Sequence, residues 1–242
     1  TGMKLLIKAF QTLFCFDVHS NIPLPNDFSD FASYFLQKSF PLILSTIKDE
    51  HGACPPIVKT FLLDLLRYNE NGQNDFMDCF YVAELIESLI TTIVEGETLS
   101  VHDNTEADHV AKNKEFLDKV LLELDRLMRM DEWIPLYHHL VSVVILKQKI
   151  RLAIHGLIDF SYEDLLPYTR PGCYDDIRLV ALEGIIQLGG LKNSHFLHYL
   201  FKMLEFEGST YVKNQIAEVL VRGVASAGIK GTLSLLDDEE FE

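Results

Sequence analysis

Asp176-Ile-Arg-Leu-Val-Ala-Leu-Glu-Gly-Ile-Ile-Gln-Leu188 and Tyr211-Val-Lys-Asn-Gln-Ile-Ala-Glu-Val-Leu-Val-Arg-Gly223 repeat one another near the C-terminal end of the chain. Aligned, they pair Ile177 with Val212, Arg178 with Lys213, Ala181 with Ile216 and Ile185 with Leu220, at a constant offset of 35 residues. In each, apolar positions fall three and four apart, which puts them on one face of a helix. A self-match at a fixed spacing of roughly 30–45 residues marks helical-pair repeats, because a single pair cannot bury its apolar face alone and stacks on the next. The expected fold is all-α: a HEAT/armadillo-like array of antiparallel helix pairs, an α-solenoid.

The same period recurs outward from these segments. Val82, Leu85, Ile86, Leu89, Ile90 and Ile93 form one stripe, and Phe116, Val120, Leu124, Leu127 and Met128 a looser one. Helices are expected over about 3–15, 27–49, 56–68, 77–94, 107–130, 134–156, 161–168, 174–189, 193–206 and 210–226. Val143-Val-Ile-Leu146 has strand propensity but no neighbouring segment to pair with, so it too is read as helix. Pro41 should kink the second helix, since it removes a backbone donor and crowds the preceding turn. The polar stretch from Glu95 to Asp108 reads as a surface loop. Residues 1–26 then form an N-terminal helix and a Pro-containing link, with Thr1-Gly2 read as a vector remnant. Residues 27–226 form the repeat domain, and 227–242 an acidic tail ending in Asp237-Asp-Glu-Glu-Phe-Glu242.

Charge and cysteine usage exclude several functions. The net charge is −15, from 36 acidic against 21 basic residues, and no Lys/Arg cluster stands ready to neutralise phosphates, so direct DNA or RNA binding is not expected. Cys15, Cys54, Cys79 and Cys173 are scattered without a Cys-x-x-Cys pair, which favours free thiols in a reducing compartment over zinc or redox sites. Leu140-Val-Ser-Val-Val-Ile-Leu146 falls far short of the roughly 20 apolar residues that cross a bilayer, and no secretory signal pattern is visible. No membrane partner is expected.

The search for chemistry returns no catalytic, cofactor-binding or metal-ligating residues. The chain has no His-Glu-x-x-His, no Gly-x-Ser-x-Gly, no phosphate-binding loop and no dinucleotide fingerprint. His195 and His198 share a helical pattern but lack further ligands, and the adjacent His138 and His139 point in different directions on a helix. Arg178 and Lys213 are read as a structural ladder between neighbouring repeats. The most unusual stretch runs from Phe61 to Phe76, where the helix ends in a turn with four side-chain amides, Asn69, Asn71, Gln73 and Asn74. Helix capping accounts for most of that composition. The sharper reading presents Tyr68, Asn69, Asn71, Asn74 and Asp75 to a protein partner.

Leu63-Asp-Leu-Leu-Arg-Tyr-Asn-Glu-Asn-Gly-Gln-Asn-Asp-Phe76, followed by Tyr81-Val-Ala-Glu-Leu-Ile86, resembles the TFIID subunit 2 family of TBP-associated factors. Asn26-Asp-Phe-Ser-Asp-Phe-Ala-Ser-Tyr-Phe-Leu-Gln-Lys38 and Asp175-Asp-Ile-Arg-Leu-Val-Ala-Leu-Glu183 extend the resemblance from about residue 27 to about residue 220. The family joins an aminopeptidase-like region that has lost peptidase function to a HEAT-like helical array, and the chain matches part of that array. The resemblance implies a nuclear, non-catalytic scaffold without cofactors, docking other TFIID subunits during RNA polymerase II pre-initiation complex assembly. It implies contact with promoter DNA only indirectly or through other regions of the longer protein. The alternative is the C-terminal helical domain of a zinc aminopeptidase, which would require an intact His-Glu-x-x-His upstream. A third reading, a transport-receptor-like array, predicts salt-sensitive binding of basic peptides.

Overall fold

In the computed structural model, which describes residues 2–50, 52–70, 76–100 and 107–229, the chain folds into helices. Nine α-helices occur among the described residues: α1 (Gly2–Phe14), α2 (Phe31–Ser45), α3 (Pro56–Arg67), α4 (Cys79–Ser100), α5 (Ala107–Trp133), α6 (Leu140–Ile154), α7 (Asp175–Gln187), α8 (Ser194–Phe206) and α9 (Thr210–Ile229). Short 3-10 turns lie at Tyr137–His139, Tyr162–Thr169 and Gly190–Lys192. None of the described residues forms a β-strand; two isolated bridges join Cys15 to Pro23 and Pro171 to Cys173. The chain divides into two compact units, Thr1–Gln148 and Lys149–Glu242, with the division inside α6.

The first unit is organised by aromatic rings. Phe10 of α1 is fully buried, with Phe14 at 5.2 Å, Phe40 of α2 at 5.4 Å and Phe61 of α3 at 5.6 Å between ring centroids. Such tilted and edge-on pairs contribute about 0.5–1.5 kcal/mol each beyond their burial. α3 buries Val58, Phe61, Leu62, Leu65 and Leu66, the stripe its spacing predicts, and starts with Pro56 where a missing donor does no harm.

Contacts along the helices fix their directions. Asn69, just past α3, bonds Asp78, just before α4, while Lys59 near the start of α3 lies against Gly96 late in α4. α3 and α4 therefore run antiparallel. Tyr34, early in α2, feels the charge of Asp78, and Lys48, just past α2, pairs with Glu95. α2 and α4 therefore run parallel, with α3 returning between them, the order that stacked helix pairs produce.

Element boundaries follow local chemistry. Asp30 caps α2 by accepting from the Ala32 and Ser33 amides, so the helix starts four residues later than expected. Pro41 lies inside α2 and is buried there. In α6 every residue from Val141 to Leu146 is buried, so the run that resembles a strand is a helix enclosed on all sides. The loop expected over Glu95–Asp108 is corrected at its two ends, where α4 continues through Ser100 and α5 begins at Ala107; residues 101–106 lie outside the described residues. At the start of the stretch polarity does not exclude a helix, since Glu is a good helix former and Glu95 is anchored by Lys48.

In the second unit α7, α8 and α9 repeat the alternating order. Arg178 near the start of α7 reaches Glu207 just past α8, and Gly223 in α9 lies against Ile186 at the far end of α7. α7 and α9 thus run parallel, with α8 returning. They start at Asp175 and Thr210, 35 residues apart, so the sequence offset is the repeat itself. A Cβ on Gly223 would overlap the Ile186 side chain, so the glycine lets α9 approach α7 closely. Gly189, at φ 90°, turns the chain after α7 with its N–H on the Ile186 carbonyl at 3.2 Å. α9 extends to Ile229, three residues past its expected end; residues 230–242 of the expected tail lie outside the described residues. None of the described helices is long and apolar enough to cross a membrane.

Candidate functional site: an aromatic rim

At the end of α3, Tyr68 is 46% exposed and its N–H closes the helix on the Asp64 carbonyl. Asn69 points inward, its Nδ2 donating to Oδ2 of Asp78 at 2.7 Å. Burial pushes the Asp78 carboxyl up to about 7, against the hydrogen bonds from Asn69 and Asn26, which lower it. The cluster ties together the segment before α2, the end of α3 and the start of α4. Of the residues singled out from sequence, Tyr68 is exposed and Asn69 forms an internal clasp, while Asn71, Asn74 and Asp75 lie outside the described residues.

Beside this clasp the surface is aromatic. Phe76 and Met77, just before α4, and Phe80 in its first turn are 66%, 49% and 49% exposed. Phe28 stacks 5.8 Å from Phe76 and 5.1 Å from Tyr34. Phe80 lies 6.2 Å from Tyr137, and Nζ of Lys38 sits 5.7 Å over the Phe80 ring. Met77 accepts the Tyr137 N–H on its sulfur at 3.1 Å. Trp133 and Ile134, at the end of α5, are 87% and 72% exposed. Contacts of Phe28 with Phe76 and of Met77 and Phe80 with Tyr137 thus bring three chain segments distant in sequence into one apolar rim within the first unit, and Trp133 and Ile134 stand exposed shortly before Tyr137 in the chain.

Asp131 shapes the α5–α6 corner that carries Tyr137. It is fully buried and accepts from the Leu136 amide at 2.8 Å and from the Ser142 hydroxyl and amide, with Nδ1 of His139 at 3.3 Å. His138 and His139 adopt φ of 52° and 49°, a left-handed conformation that costs roughly 1–3 kcal/mol for a residue with a side chain. The Asp131 bonds offset that strain and hold Tyr137 outward against Phe80 and Met77.

Exposed Trp, Tyr, Phe and Met in one patch match the composition of protein interface centres, and their ring faces attract cations. Sequence periodicity passes over this patch. Phe80 lies opposite the Val82–Leu85–Leu89 stripe, and Trp133-Ile134 falls at a helix end, so neither belongs to a core pattern. An apolar residue off its helix's stripe is the signal that reveals them.

Elsewhere, Arg178 is 6% exposed, with Asp175 at 3.2 Å and Glu207 at 2.6 Å. Lys213, its repeat equivalent, donates to the Glu205 carbonyl at 3.4 Å. Both bind repeat helices to the α8–α9 corner. His195 and His198 lie on α8 and are exposed. Among the described residues no group of three or more His, Cys, Asp or Glu side chains is placed to hold a metal ion.

Over residues 1–238 the chain matches the family described as TAF2-like, TPR repeats. It is 33% identical over 241 residues to Transcription initiation factor TFIID subunit 2 of Schizosaccharomyces pombe, covering 99% of the chain and 20% of that protein. The Saccharomyces cerevisiae protein of the same name is 31% identical over 249 residues, with 98% and 17% covered. That of Gallus gallus is 30% identical over 223 residues, with 92% and 19% covered. The chain spans about a fifth of the length of these relatives. TPR repeats are paired helices of about 34 residues, close to the spacing of α7 and α9.

Proposed function

The chain belongs to the TAF2-like, TPR-repeat family, and from that premise we propose that it is a non-catalytic docking module of the nuclear general transcription factor TFIID, holding other subunits during pre-initiation complex assembly. The single observation that carries the docking role is the rim, where Trp133, Ile134, Phe76, Met77, Phe80 and Tyr137 are exposed rather than buried, Tyr137 beside a strained corner. Natural selection of stability alone would turn such residues inward. The relatives' printed names favour this reading over the helical domain of a zinc aminopeptidase. With a net charge of −15 the module reaches promoter DNA through its partners rather than by its own surface.

Immobilised chain incubated with the purified TFIID subunits tests the proposal. At least one subunit should be retained, and the double variant Phe76→Ser, Trp133→Ser should retain it about tenfold less well, with a circular-dichroism melt lowered only slightly, because Trp133 faces solvent and Phe76 gives up only its edge contact with Phe28. A folded wild-type chain that retains no subunit overturns the proposal.

A further inference from the structure

Next to the rim lies a cleft of about 190 Å³ between the end of α1, the link at Leu24 and Pro25, and the first turns of α2. Phe14, Tyr34 and Gln37 form its floor, each less than a tenth exposed, and Leu13 and Leu24 stand exposed at its edge. Its size decides what it can hold. A dry cavity of roughly 150 Å³ accepts a benzene ring, whereas sites for drug-sized ligands or cofactors need about 300–1,000 Å³. One bulky side chain fits; a cofactor does not.

Among the described residues Asp27 is the only charged one lining the cleft, and it is exposed. Hydrogen bonds from the Ser29 hydroxyl and amide hold its carboxyl below the ordinary range, so the edge is anionic at neutral pH. From the cleft an aromatic path leads onward, since Tyr34 stacks on Phe28 and Phe28 on Phe76. At the far end Lys38 already rests over Phe80, which shows that a rim ring accepts an ammonium group. A cleft for one apolar side chain, an anionic edge and cation-accepting rings on a chain of charge −15 make a complementary surface for one kind of occupant.

We propose that this cleft docks a short segment of a partner polypeptide by a bulky apolar anchor, Phe or Leu, followed by Lys or Arg that meets Asp27 and then the rim aromatics. The assignment rests on the docking function proposed above and names the chemistry of the segment recognised. It also predicts which contacts salt should weaken, because the Asp27 contact is exposed and screened whereas the anchor is not.

Titration of the isotopically labelled 242-residue chain with the probe peptide Ac-Gly-Phe-Lys-Arg-Gly-NH2, followed by NMR, tests the site. Amide shifts should appear at Ser33, Tyr34 and Gln37 at millimolar peptide. They should vanish when Phe is replaced by Ser or when Lys-Arg is replaced by Glu-Glu. Asp27→Lys should weaken the response roughly three- to tenfold, a change expected for reversing one exposed charge pair, without altering the spectrum elsewhere. Leu13→Ser should weaken it through the anchor, with little change in salt sensitivity. Equal shifts with the Glu-Glu peptide, no shifts at these amides, or concentration-dependent shifts there without peptide (a second copy occupying the cleft) each overturn the inference. Subunit capture without peptide shifts leaves the docking function standing and removes the cleft from it. Peptide shifts without subunit capture support the cleft and remove the proposed function.

Discussion

Arg178 and Asp78 show how single ionisable groups are handled in opposite ways. Arg178 is buried but flanked by Glu207 and Asp175. Burial works against its charge, and the bonds to both carboxylates outweigh it, so its affinity for the proton is raised. Removing the guanidinium leaves Glu207 facing a vacated site, and Arg178→Ala should destabilise the second unit by about 3 kcal/mol while leaving rim-mediated subunit capture intact. Thermal melts and capture, measured on the same variant, check both halves. The Arg178 bond holds the Glu207 carboxyl below its ordinary value of 4.5, with help from the Ser209 amide. A depressed carboxylate stabilises the fold above its unfolded value and loses that contribution as pH falls through the folded one, so the second unit should weaken on acidification below about 4.5. Asp78 carries the reverse sign. Its folded value, about 7, lies above 3.8, so its contribution is complete at low pH and is lost as pH rises from 3.8 to about 7. Asp78→Asn should raise the melting temperature above pH 7, by an amount equivalent to roughly 1–3 kcal/mol, and flatten the dependence across that window. An unchanged pH profile would mean that water reaches the carboxylate.

Among the helices, α9 offers a test of sign. Glycine inside a helix normally gives up about 1 kcal/mol relative to alanine, so Gly223→Ala on an exposed helix would stabilise. Here the added methyl meets Ile186 and must part α9 from α7. The variant should instead lower the melting temperature of the second unit, and a rise would show that the two helices do not pack as described. In α1, Phe10→Ala should cost about 3–5 kcal/mol, because the ring is enclosed by Phe14, Phe40 and Phe61 and leaves a cavity. These two elements also mark the limits of legibility. The 35-residue echo of α7 in α9 was readable because side-chain period and repeat length are local in sequence. The caps were partly readable: Asp30 and Gly189 are the residue types their positions require. The helical course of Glu95–Ser100 was hidden, since hydropathy reports which face is wet and not whether the backbone turns. The all-apolar centre of α6 was ambiguous for the complementary reason.

Across the whole chain, the fold class was open to the sequence and the candidate site was not. Tyr68 and Asn69 stood out by composition, yet Asn69 is spent on Asp78 inside the fold. The rim assembles Phe28, Phe76–Phe80 and Trp133–Tyr137 from segments more than a hundred residues apart at the extremes, and only tertiary structure brings Phe80 to Tyr137. A repeat architecture favours such sites, since stacked pairs fix their connecting segments rigidly and leave the side chains there free to vary. Exposed aromatics at a corner strained at His138 and His139 are what remains when stability is not the only demand on the sequence. The most direct test of this account is amide hydrogen exchange on the full-length protein, alone and within assembled TFIID. Slowed exchange on assembly, concentrated in the peptides spanning 76–82 and 130–142, is the predicted result. Exchange unchanged in both segments, with protection gained only elsewhere in the chain, would contradict it.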